Sequence, residues 1–142
     1  MAAGDITFYN NAKKLFLDGD IDLAVDTIKV ALVTGYTPDI DAHDMWNDVS
    51  ANEESGTGYS TGGETLANSE VTVIGASDLA MWDGDNVTWT GLDVGTPSHA
   101  IIYKSTGDAA TSPLIAYMEL GTASNGGDYT IAWNASGIAR LS

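Results

Sequence analysis

At 142 residues the chain has the length of one domain, expected to span residues 1–142 and to bury roughly two thirds of the surface its unfolded form exposes. The absence of cysteine excludes disulfides, thiolate metal sites and thiol nucleophiles. Its 20 acidic residues against 5 basic ones give a formal net charge of -15, which argues against DNA or RNA as a direct partner, since lysine and arginine supply most nucleic-acid affinity.

Hydrophobic residues make up 44% of the chain and fall in regular short runs, so the acidity reads as a solvated surface on a folded domain and not as disorder. No apolar run approaches the ~20 residues that cross a bilayer, and no membrane partner is expected. The start, Met1-Ala-Ala-Gly-Asp5, lacks the basic and apolar regions of a secretory signal, so the expected site of synthesis is a cytoplasm, without export by that route.

Residues 5 to 17 place Ile6, Tyr9, Lys13 and Phe16 on one helical row and Phe8, Ala12 and Leu15 on the next. That spacing predicts an amphipathic helix with Asp5 as N-cap and Gly19 just past the end, making residues 1–19 a helical N-terminal segment. Lys13 and Lys14 fall toward its C-terminal half, where the helix dipole favours cations. The segment reads either as a packing helix or as an arm docking on a neighbouring subunit; the arm reading expects a folded domain to survive removal of residues 1–17. Asp18, Asp20, Asp22 and Asp26 have the alternation of a calcium loop, but Leu23 stands where the glycine belongs and Lys29 where the bidentate glutamate belongs. They read as a polar turn.

The β-branched run Thr27–Val33, ended by Gly35, predicts a strand. Residues 36–50 predict a short second helical turn, capped by Asp39 or Asp41, with Met45, Trp46 and Val49 facing inward. Asp41, His43, Asp44 and Asp48 are a weak metal set, one histidine among scattered acids, and no metal is assigned. Next comes a loop with Gly56, Gly58, Gly62 and Gly63 around Tyr59. Glycine permits positive φ and close backbone approach, and the aromatic offers an anchor over which the loop folds.

Beyond the loop, 70–74, 79–82, 86–90, 98–104, 114–120, 129–133 and 138–141 predict strands, separated by Gly75, Asp83-Gly-Asp-Asn86, Gly91, Gly107, Gly121, Asn125-Gly-Gly-Asp128 and Gly137. Val87/Trp89 and Tyr129/Ile131/Trp133 alternate with polar residues, whereas Ala100–Tyr103 is apolar throughout and is expected to be covered on both faces. The fold class is therefore mainly β with a minor α part, an antiparallel β-sandwich or barrel.

The chemistry-bearing patterns are thin. His43 and His99 are the sole conventional bases, no G-x-S-x-G motif is present, and the Gly56-x-Gly58 run leads to a strand, so it is not a phosphate-cradling helix start. Acid pairs such as Glu53/Glu54 are expected by chance among so many carboxylates. No catalytic residue and no cofactor is assigned. Asn86-Val-Thr88 and Asn134-Ala-Ser136 match the glycosylation pattern, which means nothing without secretion. Trp82, Trp89 and Trp133 read as core at strand spacing, with a sugar-binding face as the other possibility.

The order of segments F-Y-N-N-A-K-K-L-F-L-D-G-D-I-D-L, D-T-I-K-V-A-L-V-T, A-N-E-E-S-G-T-G-Y-S-T-G-G-E-T-L, A-M-W-D-G-D-N-V-T-W-T, A-I-I-Y-K and S-P-L-I-A-Y-M-E-L-G resembles a family of small virion structural proteins of tailed bacteriophages, over nearly the whole chain from Phe8. Some members that look similar are capsid decoration, or cement, proteins. The resemblance implies a non-enzymatic role on the outer capsid surface, with the major capsid protein as partner and a homo-oligomer, dimer or trimer, as the assembled form. On that reading Phe8, Lys13, Lys14 and Phe16, with Gly56, Gly58, Tyr59, Gly62 and Gly63, are the expected contacts with the shell or a sister subunit. The other readings are a tail, collar or fibre-base component and a carbohydrate-binding adhesion module.

Overall fold

The computed structural model describes residues 1–142. Ten strands and one α-helix form three antiparallel sheets, and the architecture is mainly β. The central sheet has the order β1(Ile6–Phe8), β8(Leu114–Glu119), β7(His99–Lys104), β2(Ile28–Val33), β3(Glu64–Thr65). A three-stranded sheet runs β10(Ala139–Leu141), β5(Leu79–Asp83), β4(Glu70–Ile74), and a two-stranded ribbon joins β6(Val87–Trp89) to β9(Tyr129–Ile131). The sheets stay separate, so the barrel alternative is not what the chain forms.

The continuous apolar runs lie where both faces are covered. Val30–Val33 and Ala100–Tyr103 are buried throughout and pair from Ile28↔Lys104 to Val33↔His99. With β8, whose Leu114–Ala116 and Met118 are also buried, they form the centre of one contiguous core. The alternating segments form the shorter ribbon: Val87, Trp89, Tyr129 and Ile131 face in, while the Thr88 and Thr130 hydroxyls share a 2.8 Å hydrogen bond outside.

The N-terminal segment departs from expectation. The α-helix, α1, spans Asn10–Asp18, and Ile6–Phe8 is a strand paired with β8 through Ile6↔Met118 and Phe8↔Ala116. Asp5 is thus not the cap. Tyr9 stands at the N-cap with ψ 146° and no side-chain cap bond, and the Asn10 N–H donates instead to the Ile40 carbonyl at 3.0 Å. The helical spacing extended past the true start because Ile6 and Phe8 also suit a strand edge, and pairing with β8 outweighed local preference. Gly19 ends the helix as expected, at φ +83°, with the Asp20 and Ile21 N–H groups returning to the Leu15 carbonyl. Lys13 and Lys14 stand mid-helix, not in its last turn. The segment is also no free arm: β1 is stitched to β8, Tyr9 and Ala12 are buried, and α1 packs on β8.

The second helical element is a pair of 3-10 turns, Trp46–Asp48 and Ser50–Asn52, with Trp46 and Val49 buried. Its cap is Asp48, whose Oδ2 accepts the Asp44 and Met45 N–H groups at 2.9 and 3.0 Å. Those two donors hold the Asp48 carboxyl below its ordinary range. Asp39 instead closes its own turn, accepting from Asp41 and Ala42.

Candidate functional site

The glycine loop folds onto the central sheet. The Tyr59 hydroxyl donates to Glu53 Oε1 at 2.8 Å and accepts the Leu32 N–H at 3.2 Å. Glu53 Oε1 also takes the Gly62 N–H, and the Tyr103 hydroxyl donates to the Gly62 carbonyl at 2.6 Å. Tyr103 in turn stacks parallel on Trp46 with ring centroids 4.6 Å apart. Burial and the Glu53 charge both push the Tyr59 phenol upward, so it stays a neutral donor. Gly63 is buried against β2, whereas Gly56 and Gly58 are exposed beside Val94 and the Gly91–Leu92 backbone. The loop is an internal clasp.

At its start Glu54 is only 9% exposed, and burial raises its carboxyl pKa. A carboxyl raised by folding carries a penalty that is absent below the unfolded pKa and complete above the folded one. Glu54→Gln is therefore expected to raise the urea midpoint at about pH 7, with the gain vanishing near pH 3.5, where the carboxyl is protonated folded or unfolded. An equal gain at both pH values would contradict the burial penalty.

The two histidines meet around one phenol. The His43 and His99 rings each lie with centroids 5.5 Å from that of Tyr36, His43 tilted against it and His99 edge-on. His43 Nδ1 accepts the Asp39 N–H at 3.2 Å, which places its ring proton on Nε2; the Tyr36 hydroxyl 2.8 Å away therefore donates to the same nitrogen. The Tyr9 hydroxyl, 2.8 Å from that of Tyr36, must then donate to Tyr36. Burial pushes both phenols up and His99 down. Neither of the two main cavities is lined by these residues, and the chain of bonds ties the Tyr9 side chain in the core to the 36–43 turn.

The acidic segments are engaged in local bonds. Asp22 Oδ1 accepts the Ala24 N–H, and Asp26 accepts the Asp22 N–H while pairing with Lys104 at 3.0 Å. Asp41 accepts from the Asn10 side chain. No three His, Asp or Glu side chains converge in a metal-binding arrangement.

The larger of the two main cavities, about 640 Å³, is an open apolar groove between α1 and the three-stranded sheet. Cross-strand register builds its sheet side. Val71, Trp82 and Ala139 stand directly opposite one another, as do Val73, Ala80 and Leu141, so two apolar rows cross one face of β4, β5 and β10. The helix contributes Lys13, Phe16 and Leu17, and Phe8 meets Phe16 edge-on with centroids 5.5 Å apart. The turn after Gly19 closes one flank through Ile21–Ala24. Ser69 fastens that turn to the sheet, accepting Trp82 Nε1 at 2.9 Å and donating to the Leu23 carbonyl.

Of the nine expected contact residues, the structure brings Phe8, Lys13 and Phe16 together on this groove. Lys14 instead pairs with Asp18 on the exposed side of α1, and Gly56, Gly58, Tyr59, Gly62 and Gly63 lie apart, in the loop clasp. Leu17, Val71, Trp82, Arg140 and Leu141 were missed. Leu17 had a signal, since it is a large apolar residue off both predicted buried rows. The tryptophans do not form a sugar-binding face: Trp82 and Trp89 are buried, and the Trp133 indole donates to the Asp85 carbonyl at 2.9 Å. Trp89 Nε1 is buried with no hydrogen-bond partner. Comparison with protein-family models, curated proteins and solved structures finds no match in any of the three.

Proposed function

We propose that the chain is a non-enzymatic virion structural protein of a tailed phage, a decoration protein that binds the outside of the assembled capsid shell and stabilises it. The observation that carries this reading is an exposed apolar groove on a rigid β scaffold that is otherwise strongly acidic. A large uncovered apolar patch on a small domain suits a protein contact, and the charge of -15 is tolerable outside a shell and unfavourable against packaged DNA. The assignment to phage particles rests on the segment order described above. A protein that binds the assembled shell and not its separate subunits stabilises assembly by linkage, and repeated copies add avidity without strong single contacts.

Quantitative mass spectrometry of purified particles tests the reading. Shell decoration requires copies on the order of hundreds per particle, because every symmetry-related site is available. Copies in the tens would move the chain to the tail or collar, and absence from particles would end the proposal.

A further inference from the structure

We infer that two copies of the chain associate through β4, edge to edge and antiparallel about a two-fold axis at Thr72, so that their three-stranded sheets join into one continuous sheet. The inference goes beyond the shell reading and stands on this strand alone.

β4 stands at one end of the order β10-β5-β4 and is the longest strand at any sheet edge, with five residues against three in β1, β6, β9 and β10 and two in β3. Residues 70–74 make no backbone hydrogen bond beyond their pairing with β5. Alternate residues of β4 therefore present N–H and C=O groups that no strand receives. Proteins ordinarily blunt such an edge with short length, charge or proline. This edge is not blunted. Val71-Thr-Val-Ile74 is β-branched throughout, and no charged residue follows Glu70 until Asp78, in a chain that carries 20 acids.

The strand is also open on both faces. Glu70, Val71, Thr72 and Val73 are all exposed, Val73 at 81%, and Ile74 alone is half-buried. β4 thus draws little burial from its own chain, although its residue types are those that suit a paired, partly covered strand. A second strand at the edge would supply the missing hydrogen bonds and cover the valines from the side.

Self-complementarity selects a second copy as that strand. Antiparallel pairing centred on Thr72 sets Val71 against Val73 of the other copy, Glu70 against Ile74, and Thr72 against its own mate. No carboxylate opposes another, whereas parallel pairing in register would bring the two Glu70 side chains together. Threonines opposed across strands hydrogen-bond well, as Thr88 and Thr130 do here at 2.8 Å. The same register makes the apolar rows continuous: Ala139, Trp82 and Val71 of one copy run on into Val73, Ala80 and Leu141 of the other. The formal charge of -15 on each body opposes the contact, so screening by salt strengthens it.

Sedimentation equilibrium of the full-length chain at micromolar concentrations, at low and physiological salt, tests the inference. A reversible monomer–dimer equilibrium is expected, shifted toward dimer by salt. Thr72→Lys and Thr72→Glu each place like charges face to face on the axis and are expected to weaken association about tenfold or more. Mixing the two variants in equal amounts should restore a dimer, because lysine then meets glutamate. Thr72 is exposed, so its replacement leaves the core intact; circular dichroism checks this, and Val73→Lys at a second exposed position should weaken the dimer as well. A chain that stays monomeric in both salts overturns the proposal, as does open-ended aggregation in place of a dimer. A dimer that these variants leave unchanged would place the contact elsewhere, and weakening in both Thr72 variants without recovery on mixing would rule out the two-fold register; either result overturns the proposal. None of these outcomes bears on the copy number in particles, so the shell reading stands or falls separately.

Discussion

Gly63→Ala is expected to destabilise the protein by roughly 3–5 kcal/mol, the sum of a left-handed backbone penalty and a clash that the core cannot relieve. Gly63 sits at φ +77°, and a Cβ there would lie 2.0 Å from the Val30 carbonyl oxygen and 2.7 Å from Ala31 Cα. Both atoms belong to the backbone of β2, the strand held between β7 and β3. Relief would require moving β2 or undoing the clasp in which Glu53, Tyr59 and Tyr103 hold the adjoining turn. Gly19 gives the internal comparison. It has a similar φ of +83° but nothing within 4 Å of the added methyl, so Gly19→Ala is expected to cost only about 1 kcal/mol. Thermal unfolding should separate the two, with Gly63→Ala lowering Tm by roughly 10 °C or more. Equal losses would mean that backbone conformation, not the approach to β2, sets the cost.

Removing residues 1–9 is expected to leave a chain that is largely unfolded at room temperature. The deletion strips β1 from β8 and takes Tyr9, whose ring is fully buried against Tyr117 and whose hydroxyl bonds Tyr36. Loss of one buried aromatic of this kind costs about 3–5 kcal/mol, a large part of the ~5–15 kcal/mol that holds a domain of this size together. The exposed edge of β8 would add a site for aggregation. Near-ultraviolet circular dichroism of the truncated chain checks the point: a native-like aromatic signal would show the segment to be detachable, as the arm reading, one of the two its sequence offered, expects.

The parts of the fold that could be read from sequence are those where local pattern and tertiary outcome agree. The β-branched run at Ile28–Val33, the unbroken apolar Ala100–Tyr103 and the alternation around Trp89 each carry their burial in their own spacing. Tyr59 as the anchor of a glycine loop was legible for the same reason. Ile6–Phe8 was not, because its residues satisfy a helical row and a strand edge equally, and Met118, far along the chain, decides between them. The groove was illegible in a different way. Val71, Trp82 and Ala139 look unremarkable in separate segments, and only the register of β4, β5 and β10 lines them up. Phe8, Lys13 and Phe16 reached the contact list through resemblance and helical spacing, yet meet at the groove by way of a strand and a helix together.

The pairing of β1 with β8 and of β2 with β7 has a kinetic consequence. Ile6 waits for Met118, and Ile28 for Lys104, so the central sheet cannot assemble on a ribosome until most of the chain has been made. Topologies dominated by such distant partners fold in milliseconds to seconds, not microseconds. During that interval the apolar β2 is synthesised and unpartnered, which makes expression temperature and chaperone supply the levers expected to govern the yield of folded protein.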